Sequence, residues 1–181
     1  MEQPDEIDNP RTGEHIRFVE TAADTEGRRL TLECTRPPSR LLEAAHRHPK
    51  QINRLTVEDG HLGLRLAHEK HMLGPGDSVE IAPGAVHQIW VMGDAPLRFL
   101  QDFEPALNSE AFFRTVFHLA ESGEFRADGR PGAMIMAELG LYFWEEFQVA
   151  QPHPLAQRLV YSMIWPFSSA LGYGARVRQF G

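Results

Sequence analysis

The chain has 181 residues, 42% of them hydrophobic and 24% charged, an ordinary balance for one folded domain with room for a short helical appendage. A formal net charge of −7 argues against nucleic acid as the main partner, because phosphate binding needs a basic field. The one cysteine, Cys34, excludes an intramolecular disulfide framework and reads as a small core residue rather than a nucleophile.

Residues 1–14 are acidic and polar and predict a flexible leader. They lack the apolar run of a secretory signal, so the cytoplasm is the expected compartment. No stretch reaches ~18 consecutive apolar residues, and no standard membrane span is expected. From residue 15 to 105 the pattern turns to short β-like runs, with strands expected over 16–21, 29–35, 51–57, 63–67, 79–81, 88–92 and 97–103. Breakers separate them, among them Glu26-Gly27, Arg36-Pro37-Pro38, Gly74-Pro75-Gly76 and Gly93-Asp94-Ala95-Pro96. Asp59-Gly60, set between Leu55, Val57 and Leu62, Leu64, Leu66, predicts a hairpin. Short strands at such close spacing imply a sandwich or barrel rather than a βαβ sheet.

Residues 106–181 form a helical extension by the same reading. A helix begins at Asn108 or Ser109 and carries an apolar stripe of Phe112, Phe113, Val116, Phe117 and Leu119. A Gly, Asp and Arg-rich linker covers 123–132. A second helix is expected over 133–149, burying Met136, Leu139, Tyr142, Phe143 and Phe147. A third begins near Leu155 and should break at Pro166. Residues 159–175 are uncharged, with Arg158 and Arg176 at either end, and include Trp165, Phe167 and Tyr173. Packing on the barrel or on a second subunit is the favoured fate of this segment, and an anionic membrane surface the alternative.

Chemistry concentrates in His46-Arg47-His48. On an extended strand, side chains two apart share a face, so both imidazoles can reach one point. His87 follows a turn over 83–86 that starts another strand. Neutral imidazole suits Zn, Fe, Ni or Cu, and three such ligands leave further positions on a metal open. Ile89 and Val91 share the parity of His87, and Gln51, Asn53, Leu55 and Val57 share one face of another strand. Leu55, Val57, Ile89 and Val91 are the expected pocket lining. His61, His68 and His71 form a second group, read as exposed turn and strand residues; His15, His118 and His153 stand alone.

The segment from Arg29 to Glu104 resembles the two motifs of the cupin superfamily. The first runs Gly, five residues, His-x-His, three or four residues, Glu, six residues, Gly; His46, His48 and Gly60 fall on it. The second runs Gly, five residues, Pro-x-Gly-x-x-His, three residues, Asn; Gly76, Gly84 and His87 fit. The phrase His46-Arg47-His48-Pro49-Lys50-Gln51 is most similar to small bacterial single-domain cupins whose C-terminal helices end in a Leu-Gly-Tyr phrase, here Leu171-Gly172-Tyr173. Four positions depart: Arg40 for the first Gly, Ala82 for Pro, Val91 for Asn, and Asn53 in the slot of the metal-binding Glu, with Ile52 at the other spacing.

The resemblance implies a mainly β fold, a double-stranded β-helix or jelly-roll barrel over 15–105 followed by C-terminal α-helices. It implies a metal on His46, His48 and His87, with Asn53 or Gln51 as fourth ligand or substrate contact. The expected cofactor is a divalent transition metal, iron first, with Zn, Mn or Ni as alternatives. The expected function is that of a mononuclear metal-dependent enzyme, dioxygenase-like, acting on a small anionic or enolisable substrate. Some cupin dioxygenases use three histidines and no carboxylate. The alternative is a non-catalytic barrel that binds a small ligand over a degenerate metal site. Expected partners are a small molecule and a second copy in a homodimer, with no nucleic acid, and membrane association only through the C-terminal helices.

Overall fold

The computed structural model describes residues 5–39, 43–126 and 131–181. Arg40 and part of the expected 123–132 linker therefore lie outside the described residues. In chain order the elements are β1 (Glu6–Asp8), β2 (His15–Glu20), β3 (Leu30–Arg36), β4 (His46–Arg47), β5 (Ile52–Asp59), β6 (Leu62–Leu66), β7 (Glu69–Leu73), β8 (Ser78–Ile81), β9 (His87–Val91), β10 (Leu97–Glu104), α1 (Ser109–Glu121), α2 (Ala133–Tyr142), β11 (Gln148–Val149), α3 (Pro154–Ala170) and α4 (Tyr173–Val177).

Two antiparallel sheets face each other. One has the order β1-β2-β3-β10-β5-β8 and the other β11-β4-β9-β6-β7. Alternation drives the closure: on β10, Leu97, Phe99, Gln101 and Phe103 are buried while their neighbours are not, and on β5 the same holds for Asn53, Leu55 and Val57. These side chains meet Ile16, Leu30, Leu32, Leu62, Leu64 and Ile89 from the surrounding strands in one continuous core. Cys34 is part of that core, and burial pushes its thiol pKa up, which suits packing and not nucleophilic chemistry. A second apolar cluster joins α1, α2 and α4 through Leu119, Ile135, Phe143 and Val177.

Several expectations from the linear pattern are corrected. Within the segment expected to be a flexible leader, Glu6–Asp8 pair with Arg17, Ile16 and His15 of β2, and Ile7 packs against the barrel core. Arg11 donates to the Phe125 and Arg126 carbonyls, so polar composition there reflects an edge strand and its return loop. Asp59-Gly60 is no hairpin. β5 pairs with β10 and β8, whereas β6 pairs with β7 and β9, so this turn carries the chain from one sheet to the other. Gly60 sits at φ +79°, and a Cβ there would meet the Pro96 carbonyl oxygen at 2.4 Å. A hairpin follows instead at β6–β7, whose second strand is exposed except at Leu73 and shows no apolar alternation.

The second helix ends at Tyr142 rather than near residue 149, because Gln148 and Val149 leave it to pair with Arg47 and His46 on the edge of the second sheet. α3 runs through Pro166 instead of breaking there. A proline costs one backbone hydrogen bond, and here both flanks of the helix are held independently. Tyr161 packs on Gly140, where a Cβ would lie 2.4 Å from the ring, and Ser168 Oγ donates to the Met134 carbonyl at 3.0 Å.

Gly63 on β6 tests the barrel packing. A Cβ at this site would stand 2.1 Å from Trp90 Cε2 on the neighbouring strand, inside any van der Waals contact. Gly63→Ala should therefore lower stability by about 1–3 kcal/mol, read as a reduced midpoint of urea unfolding. An unchanged midpoint would show that Trp90 has room to move aside.

Candidate metal centre

Two segments supply the histidines. His46 begins β4 and His87 begins β9, and the two are direct cross-strand partners. His48 follows β4, where its carbonyl accepts from Gly84 N at 2.8 Å, tying the turn before His87 to the strand end. The three rings lie 4.3 to 5.2 Å apart by centroid, and one ligand nitrogen from each falls within 4.8 Å of the others. They are 2–6% exposed. Among the described residues this is the single grouping of three or more potential metal ligands; His61, His68 and His71 are exposed, as their turn and strand positions imply.

The tautomer of each ring follows from its Nδ1 partner. His46 Nδ1 donates to the Ala44 carbonyl at 3.0 Å, His87 Nδ1 to the Ala85 carbonyl at 3.0 Å, and His48 Nδ1 to the Glu146 carbonyl at 2.7 Å. With every Nδ1 proton committed, the Nε2 lone pairs are left to point inward. His48 Nε2 is buried with no hydrogen-bond partner, an orphan that an ion would satisfy. Burial pushes the His48 pKa down to about 3 and that of His87 to about 4, with the neighbouring histidines adding to the effect. Both rings are therefore neutral at pH 7, the form that ligates.

Asn53 reaches the centre from the opposite sheet. Its Nδ2 lies 3.4 Å from His87 Nε2, and its Oδ1 accepts from Gln101 Nε2 at 3.1 Å. A half-turn of both amides would present the Asn53 oxygen inward and keep a hydrogen bond between them, so the pair can offer either polarity. Gln51 is also fully buried, but its Nε2 donates to the Pro105 and Ala106 carbonyls and to Ser109 Oγ, tying the start of β5 to α1. Leu55, Val57 and Ile89 are packed into the barrel core, with Val91 at its margin.

Two contributions have no marker in the linear pattern. Glu43 Oε1 lies 2.9 Å from His46 Nδ1, and its Oε2 accepts from Arg36 Nη1 at 2.9 Å; Arg36 in turn pairs with Glu14. Burial alone would raise the Glu43 pKa, but His46 and Arg36 outweigh it and hold the carboxylate well below the usual range. The second contribution comes from the helical extension. Phe147 stacks on His46 at 4.9 Å and Phe112 stacks on Phe147, while Phe103 of β10 meets His48 edge-on, so aromatic rings wall the site. A shallow surface groove of about 380 Å³ lined by Glu20, Asp24, Thr25, Arg28, Arg29 and Glu104 includes none of the histidines.

The depressed pKa values carry a sign that can be measured. In metal-stripped protein, His48 and His87 stay neutral while the unfolded chain takes up protons near pH 6.5. Their contribution is thus complete above about pH 6.5 and is lost as pH falls toward about 4. Urea midpoints should decline across that window, and decline less in a His48→Gln variant. Identical pH dependence in the two proteins would place the effect elsewhere.

Comparison with known proteins completes the picture. A family model described as a cupin domain matches residues 32–101. No curated protein matches the chain. Among solved structures, ectoine synthase from P. lautus superposes with a TM-score of 0.51 at 15% identity, covering 61% of this chain and 75% of that one. A predicted oxalate decarboxylase from Thermotoga maritima gives 0.49 at 20% identity over 57% of this chain and 92% of its own. An uncharacterized protein with a double-stranded β-helix domain from Klebsiella pneumoniae gives 0.44 at 22% identity, over 50% and 76% respectively. Identities this low speak to the fold and to no activity. The barrel carries a cupin domain over residues 32–101.

Proposed function

We propose that His46, His48 and His87 hold one divalent transition metal, iron first with Zn, Mn or Ni as alternatives, and that the protein is a mononuclear, dioxygenase-like enzyme. The observation that carries this reading is the set of three committed Nδ1 protons above an orphaned His48 Nε2 in a buried, aromatic-walled site. Such an ion supplies Lewis acidity and, when iron, one-electron chemistry with dioxygen. Three neutral imidazoles leave its charge uncompensated, which favours a small anionic or enolisable substrate at the open positions. Asn53, steered by Gln101, contacts that substrate or serves as a weak fourth ligand. The cytoplasm as compartment and the division into a barrel over 15–105 and a helical extension belong to the same reading.

Glu43 has a defined part in it. The first coordination shell lacks a carboxylate because Asn53 stands in the Glu slot, and Glu43 supplies negative charge one bond further out, through His46. A carboxylate behind a ligating histidine raises ring basicity and holds its orientation.

A second reading is supported by the closure itself. With the histidines 2–6% exposed beneath Phe147, a barrel that holds a small ligand without turning it over also fits. Native mass spectrometry showing a retained organic ligand unaffected by His→Ala changes would favour that version.

Metal analysis of protein purified without chelators should give close to one metal per chain, and His46→Ala or His87→Ala should abolish it. A ratio near zero that added iron cannot restore would eliminate the proposal. Glu43→Gln should weaken metal affinity about 10–100-fold while leaving the fold intact. Unchanged affinity would reduce Glu43 to an ion-pair partner of Arg36.

A further inference from the structure

Glu146 faces two ways. Its carbonyl accepts the His48 Nδ1 proton at 2.7 Å, and its Oε1 accepts from Asn108 N at 3.1 Å, at the start of α1. Asn108 makes no side-chain cap bond of its own, so the Glu146 carboxylate answers for this end of the helix. The residue is only 5% exposed, a placement that costs a carboxylate its hydration.

The same turn is tied to the His48 segment from the other side. Gln51, three residues beyond His48, donates through Nε2 to the Pro105 and Ala106 carbonyls and to Ser109 Oγ. Residues 105–109 are therefore a common anchor. Gln51 fixes the segment that carries the ring, and Glu146 fixes the carbonyl that receives its proton. The carbonyls that orient His46 and His87 lie two residues before each ring and need no such brace.

His48 needs one, because its other tautomer has a use for the proton. One ligand nitrogen from each ring lies within 4.8 Å of the others, and His48 Nε2 is buried with no partner. A proton moved to that nitrogen would find acceptors in the neighbouring rings and close the cluster with an internal hydrogen bond. A carbonyl held firmly at Nδ1 keeps the proton away.

We propose that Glu146 is a positioning residue: its carboxylate, held at the start of α1, fixes its own carbonyl so that His48 keeps its proton on Nδ1 and its Nε2 lone pair free. The effect on the tautomer is a property of the metal-free protein. Its consequence for metal affinity rests on the metal-binding role proposed for the three histidines.

The test is ring-nitrogen NMR of metal-free full-length protein at neutral pH, which shows which nitrogen of each histidine is protonated. Wild type should carry the proton on Nδ1 in all three rings. Glu146→Ala should move His48 toward the Nε2–H form while His46 and His87 stay as they are. Glu146→Gln, whose amide oxygen can still accept from Asn108 N, should restore the wild-type pattern. Should Glu146→Ala fail to fold, Glu146→Leu fills the buried volume without an acceptor and reads the same shift. Zinc affinity should follow, about 10–100-fold weaker in Glu146→Ala and near wild type in Glu146→Gln. A plain helix cap would lower the urea midpoint without touching one ring alone. A His48 that keeps its Nδ1 proton in Glu146→Ala, or an equal shift of all three rings, therefore overturns the proposal. Zinc that binds no variant, beside the expected change at His48, would count against the metal reading and for this one.

Discussion

Three imidazole protons are spoken for by backbone carbonyls, and the rest of the site depends on that commitment. A histidine whose Nδ1 donates to a fixed carbonyl has one lone pair left, and it lies on the opposite side of the ring. The Ala44 and Ala85 carbonyls stand two residues before their own histidines, so β4 and β9 carry their orienting groups with them. The Glu146 carbonyl comes instead from 98 residues along the chain. The helical extension is therefore part of the centre: without the segment that turns out of α2 into β11, His48 would lose its orienting partner and His46 its stacked Phe147.

Charge explains the unusual polar content of the interior. A barrel lined by Leu, Ile and Phe tolerates Asn53 and Gln101 because each amide satisfies the other. Glu14, Arg36 and Glu43 form a chain of alternating charge that ends on His46. The Arg36 guanidinium between them holds both carboxylates in place. A carboxylate in direct coordination would bind the ion more tightly; one placed behind the ring leaves more positive potential for an incoming anion.

The barrel strands were readable because alternation and turn chemistry are local properties, and the histidine spacing was readable because a strand places residues two apart on one face. What escaped the linear pattern is non-local. β4 and β11 are two residues long; β4 lies between β9 and β11, and β11 pairs with β4 at the sheet edge. Asp59-Gly60 announces a turn, but nothing nearby reveals that its flanking strands belong to opposite sheets. The apolar run through Phe147 looks helical until the edge of β4 claims Gln148 and Val149. Glu43 sits in a loop with no periodicity, and its role is visible only once Arg36 and His46 are seen on either side. Gln51 shares the strand parity of Asn53, yet its amide nitrogen is committed to three acceptors near α1.

Crystals grown from protein loaded with iron, with anomalous differences recorded at the iron edge, address the convergence of the three rings directly. One strong peak should appear bonded to the Nε2 atoms of His46, His48 and His87, at roughly 2.0–2.2 Å from each as metal–imidazole bonds require. No peak at that point, with iron bound instead at the exposed histidines or nowhere, would mean that these rings merely fill a polar corner of the barrel.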